Sequence, residues 1–324
     1  MPAPPTAPPC PADRRRRSPL SFRRQDWRDV TWRVAREVDR DRVFTIAGAV
    51  AFFLLLSIPP TVVLLVSLFG LFADGGEVRA LVDAVGPVLP ASGRQVFREV
   101  VDSIVRQTNA AHGTSLLVSV LASVWSATSG TAMLVEGVNL AYDERDERTI
   151  VQQRWLALRF TLGVVGFGVF SLVSIAALPP LLDRLGWAKP TTELLEAARW
   201  LGLVAAFWLG VTLTYRYAPQ RRPAQWSWLS VGSVLATLSW LAASAGFSVY
   251  LDVAGDMSRT YGSLGGLAVF MLWLYMTAVI VLIGAEVNAE VEHQTSVDST
   301  VGPPRPRGQR GAVKADGLGA SKPA

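Results

Sequence analysis

Apolar residues along this chain gather into long unbroken blocks, and the charged residues sit between the blocks. A soluble core spreads its apolar positions at periods of 2 or 3.6, whereas a lipid-facing helix is apolar on all sides. Several blocks exceed the roughly 18 apolar residues that mark a spanning helix. They predict six transmembrane helices, at about 45–72, 116–135, 158–178, 200–213, 228–251 and 264–287. Small residues recur every three or four positions in three of them, as in Ser119-Ser123-Ser126-Gly130, Gly202-Ala206-Gly210-Thr214 and Gly232-Ala236-Ser239-Ala243. That spacing lets helix backbones approach closely. The predicted fold is all-α, a polytopic six-helix membrane bundle.

Residues 73–114 are too polar to span. Val78, Leu81, Val82 and Val85 form one apolar stripe, and Val96, Val100, Val101 and Ile104 another. They predict an amphipathic helical segment outside the membrane, between spans one and two. Residues 1–26 are rich in Pro and Arg and predict a disordered leader. In 27–44, Trp27, Val30, Val34 and Val38 alternate with Arg28, Arg33, Arg36 and Arg40. This is an amphipathic helix, either lying on the membrane or packed on the protein's own polar loops. The membrane domain covers 45–292. The tail 293–324 is rich in Gly, Pro and basic residues and is expected to be disordered.

Half of the 324 residues are hydrophobic, and the net charge is +5. Of the 31 Lys and Arg residues, 23 fall in the leader, the loops after spans two and four, and the tail, and 8 fall on the other side. The basic side of a membrane protein faces the cytoplasm. Both termini are therefore expected there, and the basic charge needs no nucleic-acid partner to explain it. One cysteine, Cys10, allows no intrachain disulfide, and His112 and His293 both lie outside the apolar blocks. No metal site, no cofactor and no catalytic residue is predicted.

Pro59-Pro60 interrupts the first block. Proline removes a backbone donor and clashes one turn back, so a kink or a break is expected near Ser57. A harmless kink and a gating break are both compatible with the pattern. An ionisable group in the bilayer costs roughly 2.5–3.5 kcal/mol on insertion scales and calls for a role. Glu136 and Asn139 end the second block on one helical face, with Tyr142 a turn further on. Glu286 and Glu290 end the sixth, with Asn288 between them. These groups are interfacial caps, structural ion pairs with Arg216 or Arg148, or a substrate or proton site. Tyr261 and Gly262, followed by Gly265 and Gly266, predict a close turn into span six.

Tyr261-Gly262-Ser263-Leu264-Gly265-Gly266, with Leu272-Trp273-Leu274-Tyr275 and Gly284-Ala285-Glu286-Val287-Asn288-Ala289, resembles the C-terminal signature of the YihY/BrkB family. The resemblance continues in Asn139-Leu140-Ala141-Tyr142, in Tyr215-Arg216-Tyr217-Ala218-Pro219 and in Ala49-Val50-Ala51-Phe52-Phe53 with Ser57. It covers about residues 40–292. It implies six spans in a bacterial inner membrane. Members were once labelled ribonuclease BN, a label regarded as mistaken, and others are linked with serum resistance or with export of envelope lipid. The expected function is a transporter or export factor for a lipid-like envelope component. The alternative is a non-transporting scaffold for envelope assembly. Membrane lipids and envelope-assembly proteins are the expected partners. A ribonuclease needs a metal cluster or a paired acid and base, which the two isolated histidines do not supply.

Overall fold

The computed structural model describes residues 18–70, 121–122, 124–172, 174, 189–254 and 263–323. The helices are α1 (Arg24–Arg40), α2 (Val43–Gly70), α3 (Ser129–Ala141), α4 (Ile150–Leu172), α5 (Lys189–Tyr217), α6 (Trp226–Ala254), α7 (Ser263–His293) and the short α8 (Val313–Asp316). Among the described residues the only extended pairing is an isolated antiparallel bridge between Ala224 and Thr300. α4, α5, α6 and α7 are each long and apolar enough to cross a membrane. A fifth span results if α1 and the start of α2, bent by 59°, count together. The amphipathic segment at 73–114 lies outside the described residues, as do 116–120 and 123 of the second apolar block and the turn residues Tyr261 and Gly262. Gly265 and Gly266 fall inside the first turn of α7 and do not form a separate hairpin.

α7 is the central element and packs against α6, α2, α1, α3 and α8. Its closest approach is to α6, at Gly232 and Gly284. A Cβ on Gly232 would overlap the Gly284 carbonyl and lie 2.6 Å from Asn288 Cγ. A side chain there would push the two backbones apart, so glycine sets the crossing distance. The core between these helices consists largely of Ala and Val, with Tyr142 and Tyr215 as the large members. Tyr215 donates its buried hydroxyl to the Val281 carbonyl at 2.6 Å, fixing α5 to α7.

Two open alternatives narrow and one expectation is overturned. α2 runs as one helix through Pro59 and Pro60, so the helix is not broken there. Ser57 Oγ donates to the Leu54 carbonyl at 2.7 Å, and Thr61 Oγ1 to the Ser57 carbonyl at 2.6 Å. These hydroxyls bond carbonyls in the turns around the proline pair, a known way for apolar helices to tolerate proline. The sharp bend lies earlier, between α1 and α2, where Arg42 takes φ 50°. Secondly, α1 is packed on the protein: Val30 and Arg33 are buried, and α1 docks against α7.

Thirdly, the tail beyond His293 is ordered and folds back on the bundle. Arg310, buried, donates to the carbonyls of Ser296 (2.9 Å), Ala315 (2.7 Å) and Arg305 (3.2 Å). Asp298 accepts from the backbone of Thr300 at 2.9 Å and of Arg305 at 2.8 Å. The tail is tied to the rest of the chain by Gln225 N–H to Ser299 O (2.8 Å) and Val313 N–H to Glu144 Oε1 (2.8 Å). Low apolar content predicts disorder because burial is too small to offset ordering. Here a dense set of charge-assisted hydrogen bonds supplies the difference.

Candidate functional site

Glu136 and Asn139 line a cleft of about 590 Å³ beside α2, α3 and the start of α4. Its lining combines the apolar side chains of Ile46, Phe53, Ala132 and Met133 with the polar ones of Glu136, Glu144, Asp146, Gln153 and Arg154. Ala132 and Glu136 are one turn apart on the same face of α3. Glu136 is exposed to the cleft, whereas Asn139 is buried and structural. Its amide donates to the Val135 carbonyl at 3.0 Å, and its Oδ1 accepts from Gln220 N–H at 2.8 Å.

Arg154 is anchored beside the start of α3 by neutral acceptors. It donates to the Trp125 carbonyl at 3.2 Å and approaches the Thr128 and Ser129 hydroxyls at 3.3 and 3.4 Å. Its guanidinium lies over the Trp125 ring, 3.6 Å from the centroid. The cleft thus offers one cation held by an indole and three hydroxyl or carbonyl oxygens. Burial pushes the Glu144 carboxyl up, against the bond it accepts from Val313 N–H.

The second group of predicted residues, on α7, faces away from this cleft. Asn288 Oδ1 accepts from Gly232 N–H at 2.6 Å, and its amide donates to the Leu229 carbonyl at 3.0 Å. It therefore staples α7 to the start of α6. Glu290 is fully buried and pairs with Arg33 of α1 and with Lys314 of α8, the latter at 2.7 Å. Glu286 is also fully buried, and neither of its oxygens has a hydrogen-bond partner. Tyr142, fully buried, lies under the Arg221 guanidinium at 4.6 Å, and burial pushes its hydroxyl pKa up.

The expected pairing of these carboxylates with Arg216 or Arg148 does not occur. Arg216 donates to the Ala224 carbonyl and stacks on Trp226 at 4.5 Å. Arg148 donates to the Ala218 carbonyl at 2.9 Å. The cations that do the pairing are Arg33, Arg221 and Lys314. Arg221 meets Glu292 at 2.6 Å. Burial opposes charge on Arg221 and Lys314, yet their acidic neighbours hold both above their ordinary pKa. Lys314 sits in a segment read as disordered, and Arg33 in a helix with two placements open, so neither had a partner in the sequence. Ser57 is buried and its hydroxyl serves its own helix.

The family described as Virulence factor BrkB matches residues 34–309 of this chain. A ribonuclease-like protein of Bacillus subtilis is 28% identical over 254 residues, covering 75% of this chain and 88% of that protein. A UPF0761 membrane protein of Vibrio vulnificus is 26% identical over 282 residues, covering 84% of this chain and 86% of its own length. Another from Vibrio parahaemolyticus is 25% identical, covering 80% of this chain and 81% of its own. No solved structure matches the chain. With several helices able to cross a bilayer and a match over most of its length, the chain belongs to the BrkB family of membrane proteins.

Proposed function

We propose that this protein is a six-span inner-membrane protein with both termini in the cytoplasm, and that it moves a lipid-like envelope component. The mixed lining of the cleft carries this reading. A site of about 590 Å³ lined by apolar side chains together with an arginine and several carboxylates suits an amphiphile better than a small polar solute. Phe53, Ile46 and Met133 would lie against acyl chain, and Arg154 and Glu136 against the headgroup. α2, at 28 residues, is long enough to serve as the first span, since about 20 residues cross a bilayer. The concentration of Arg and Lys in the leader, the loops after spans two and four, and the tail supports the orientation.

The scaffold alternative has less support, because the basic groups it would offer to partners, Arg310 and Lys314, are spent on internal contacts. The ribonuclease reading has less still. His293 lies beside Glu290 within a structural ion-pair network.

The test is transfer of labelled lipid in proteoliposomes. Wild-type protein should accelerate transfer over protein-free vesicles. Ala132→Trp, which fills the cleft, should remove most of that acceleration. Glu286→Ala and Asn139→Ala should reduce it less directly, through the packing behind the cleft. Equal rates with and without protein would end this reading.

A further inference from the structure

Two charged groups that line the cleft have no counter-ion among the described residues. Glu136 of α3 is exposed and makes no hydrogen bond or ion pair there. Arg154 of α4 meets only the Trp125 carbonyl, the Thr128 and Ser129 hydroxyls and the Trp125 ring. All three of its hydrogen bonds leave from Nη1. The Nε–Nη2 edge, the side of a guanidinium that forks onto two oxygens, is uncommitted among the described residues. The other two carboxylates of the lining are engaged. Glu144 accepts from Val313 N–H at 2.8 Å. Asp146 accepts from Arg148 N–H at 3.1 Å and pairs with that guanidinium at 3.6 Å.

The α3 helix sets the spacing of the two free charges. Arg154 Nη1 rests 3.4 Å from Ser129 Oγ, at the first residue of α3. Ser129 and Glu136 are seven residues apart, so they share a helical face with about 10 Å between them along the axis. Side chains on a helix lean toward its N-terminus, so Glu136 leans toward the end where Arg154 sits. Between them on that face stands Ala132, whose small side chain also lines the cleft. A cation and an anion thus serve one cleft without pairing with each other. A ligand of the opposite order, an anion joined by a short bridge to a cation, would satisfy both.

We propose that the cleft takes a phospholipid whose headgroup carries a primary ammonium, with its phosphate on Arg154 Nε and Nη2 and its ammonium on Glu136. Such a ligand presupposes the lipid reading of the cleft and narrows it to one class. A phosphate accepts the forked pair of N–H bonds from a guanidinium, and an ammonium donates up to three to carboxylate and water. The carbon bridge between them would cross Ala132, and Ile46 and Phe53 of α2 remain for the acyl chains. An anionic headgroup without an amine fits less well. It would add a negative charge to a lining that already sets three carboxylates against one arginine, and it would leave Glu136 without a partner.

The test is binding of acyl-labelled phosphatidylethanolamine and phosphatidylglycerol, matched in their chains, to the full chain in detergent, read by fluorescence anisotropy. Phosphatidylethanolamine should bind roughly 10-fold more tightly, the factor expected for one hydrogen bond between charged groups. Glu136→Gln should remove most of that preference by weakening phosphatidylethanolamine, with phosphatidylglycerol unchanged or tighter. Arg154→Gln should weaken both lipids, and Glu147→Gln, at an exposed position outside the cleft, should change neither. Equal affinity for the two lipids in wild type, or a preference that survives in Glu136→Gln, would overturn the proposal while leaving the lipid reading in place. Soluble phosphoethanolamine should compete only at concentrations far above the lipid's, and competition at equal concentration would overturn the assignment to a lipid. Binding of neither lipid would overturn both readings. Preferential binding without transfer in proteoliposomes would end the transport reading and leave the headgroup assignment standing.

Discussion

Arg221 and Glu292 form an ion pair at 2.6 Å with both side chains 1% exposed. The pair joins the loop after α5 to the end of α7, and Tyr142 lies beneath the guanidinium, so three elements meet on it. Removing one member of a buried pair leaves the other charge stranded. Glu292→Leu or Arg221→Met alone should therefore destabilise the fold by about 3–5 kcal/mol. Arg221→Met with Glu292→Leu, which removes both charges, should cost much less than the sum of the single changes. Thermal unfolding in detergent with the four proteins of this cycle checks it, and additive losses would show that the pair is not coupled.

The small-residue stripes are not equivalent. A Cβ at Gly232 would overlap α7, whereas a Cβ at Gly210 has nothing within 4 Å. Gly232→Ala should therefore cost about 1–3 kcal/mol by forcing α6 and α7 apart. Gly210→Ala should be neutral or slightly stabilising, because glycine in a helix interior is worse than alanine by roughly 0.5–1 kcal/mol. Unfolding midpoints of the two variants, measured side by side, should fall on opposite sides of or at the wild-type value.

This difference shows where the sequence was readable. Apolar blocks located α4 to α7 because lipid-facing helices are apolar regardless of their neighbours. Periodicity located the small residues too, but not which of them meet a neighbour, since that depends on helix order and tilt. Block edges misled at α5, which is 29 residues long against an expected 14-residue core. Glu193, Glu196 and Arg199 continue the helix without being apolar. Trp228, at the edge of the fifth predicted span, is buried against Phe22, at 6.2 Å between rings. Glu136, Asn139, Glu286, Asn288 and Glu290 were visible because charged and amide groups next to apolar blocks are rare. Their partners were not, because Arg33 is 257 residues from Glu290 and Lys314 lies in a stretch with no periodicity. A tail held by hydrogen bonds leaves no hydrophobic pattern, and Gly308 and Gly311, at φ 81° and 69°, read as flexible when they are turns.

Asp298 gives a pH-dependent handle on that tail. Burial works against its charge, but the bonds from Thr300 and Arg305 outweigh burial and hold its pKa below the ordinary carboxylate value. A carboxylate with a depressed native pKa contributes stability that is present above its unfolded pKa and lost as pH falls through the native one. The clasp should therefore be intact at neutral pH and weaken only below about pH 4, near the unfolded value for Asp. Amide hydrogen exchange at Thr300 and Arg305, followed from pH 7 to pH 3 with correction for intrinsic rates, should show protection falling in that lower window. Asp298→Asn should show weak protection at every pH.

The tail's main anchor is Glu290, which holds Arg33 of α1 and Lys314 of α8 together. Both contacts depend on one buried charge. Glu290→Gln keeps the shape but leaves two cations without it, so the tail should detach more often than α7 unfolds. Trypsin should then cut after Arg307 or Arg310 at least several-fold faster than in wild type, while the bundle stays intact on a gel. Burial opposes charge on Lys314, but Glu290 and Asp143 raise its pKa above the ordinary lysine value. A cation with a raised native pKa contributes stability in full below its unfolded pKa and loses it only as pH rises through the native one. Tail protection in wild type should thus be flat from pH 7 to about pH 9, below the ordinary lysine pKa. A steep rise in cleavage across that interval, after correction for trypsin's own pH dependence, would show that Lys314 is not what holds the tail.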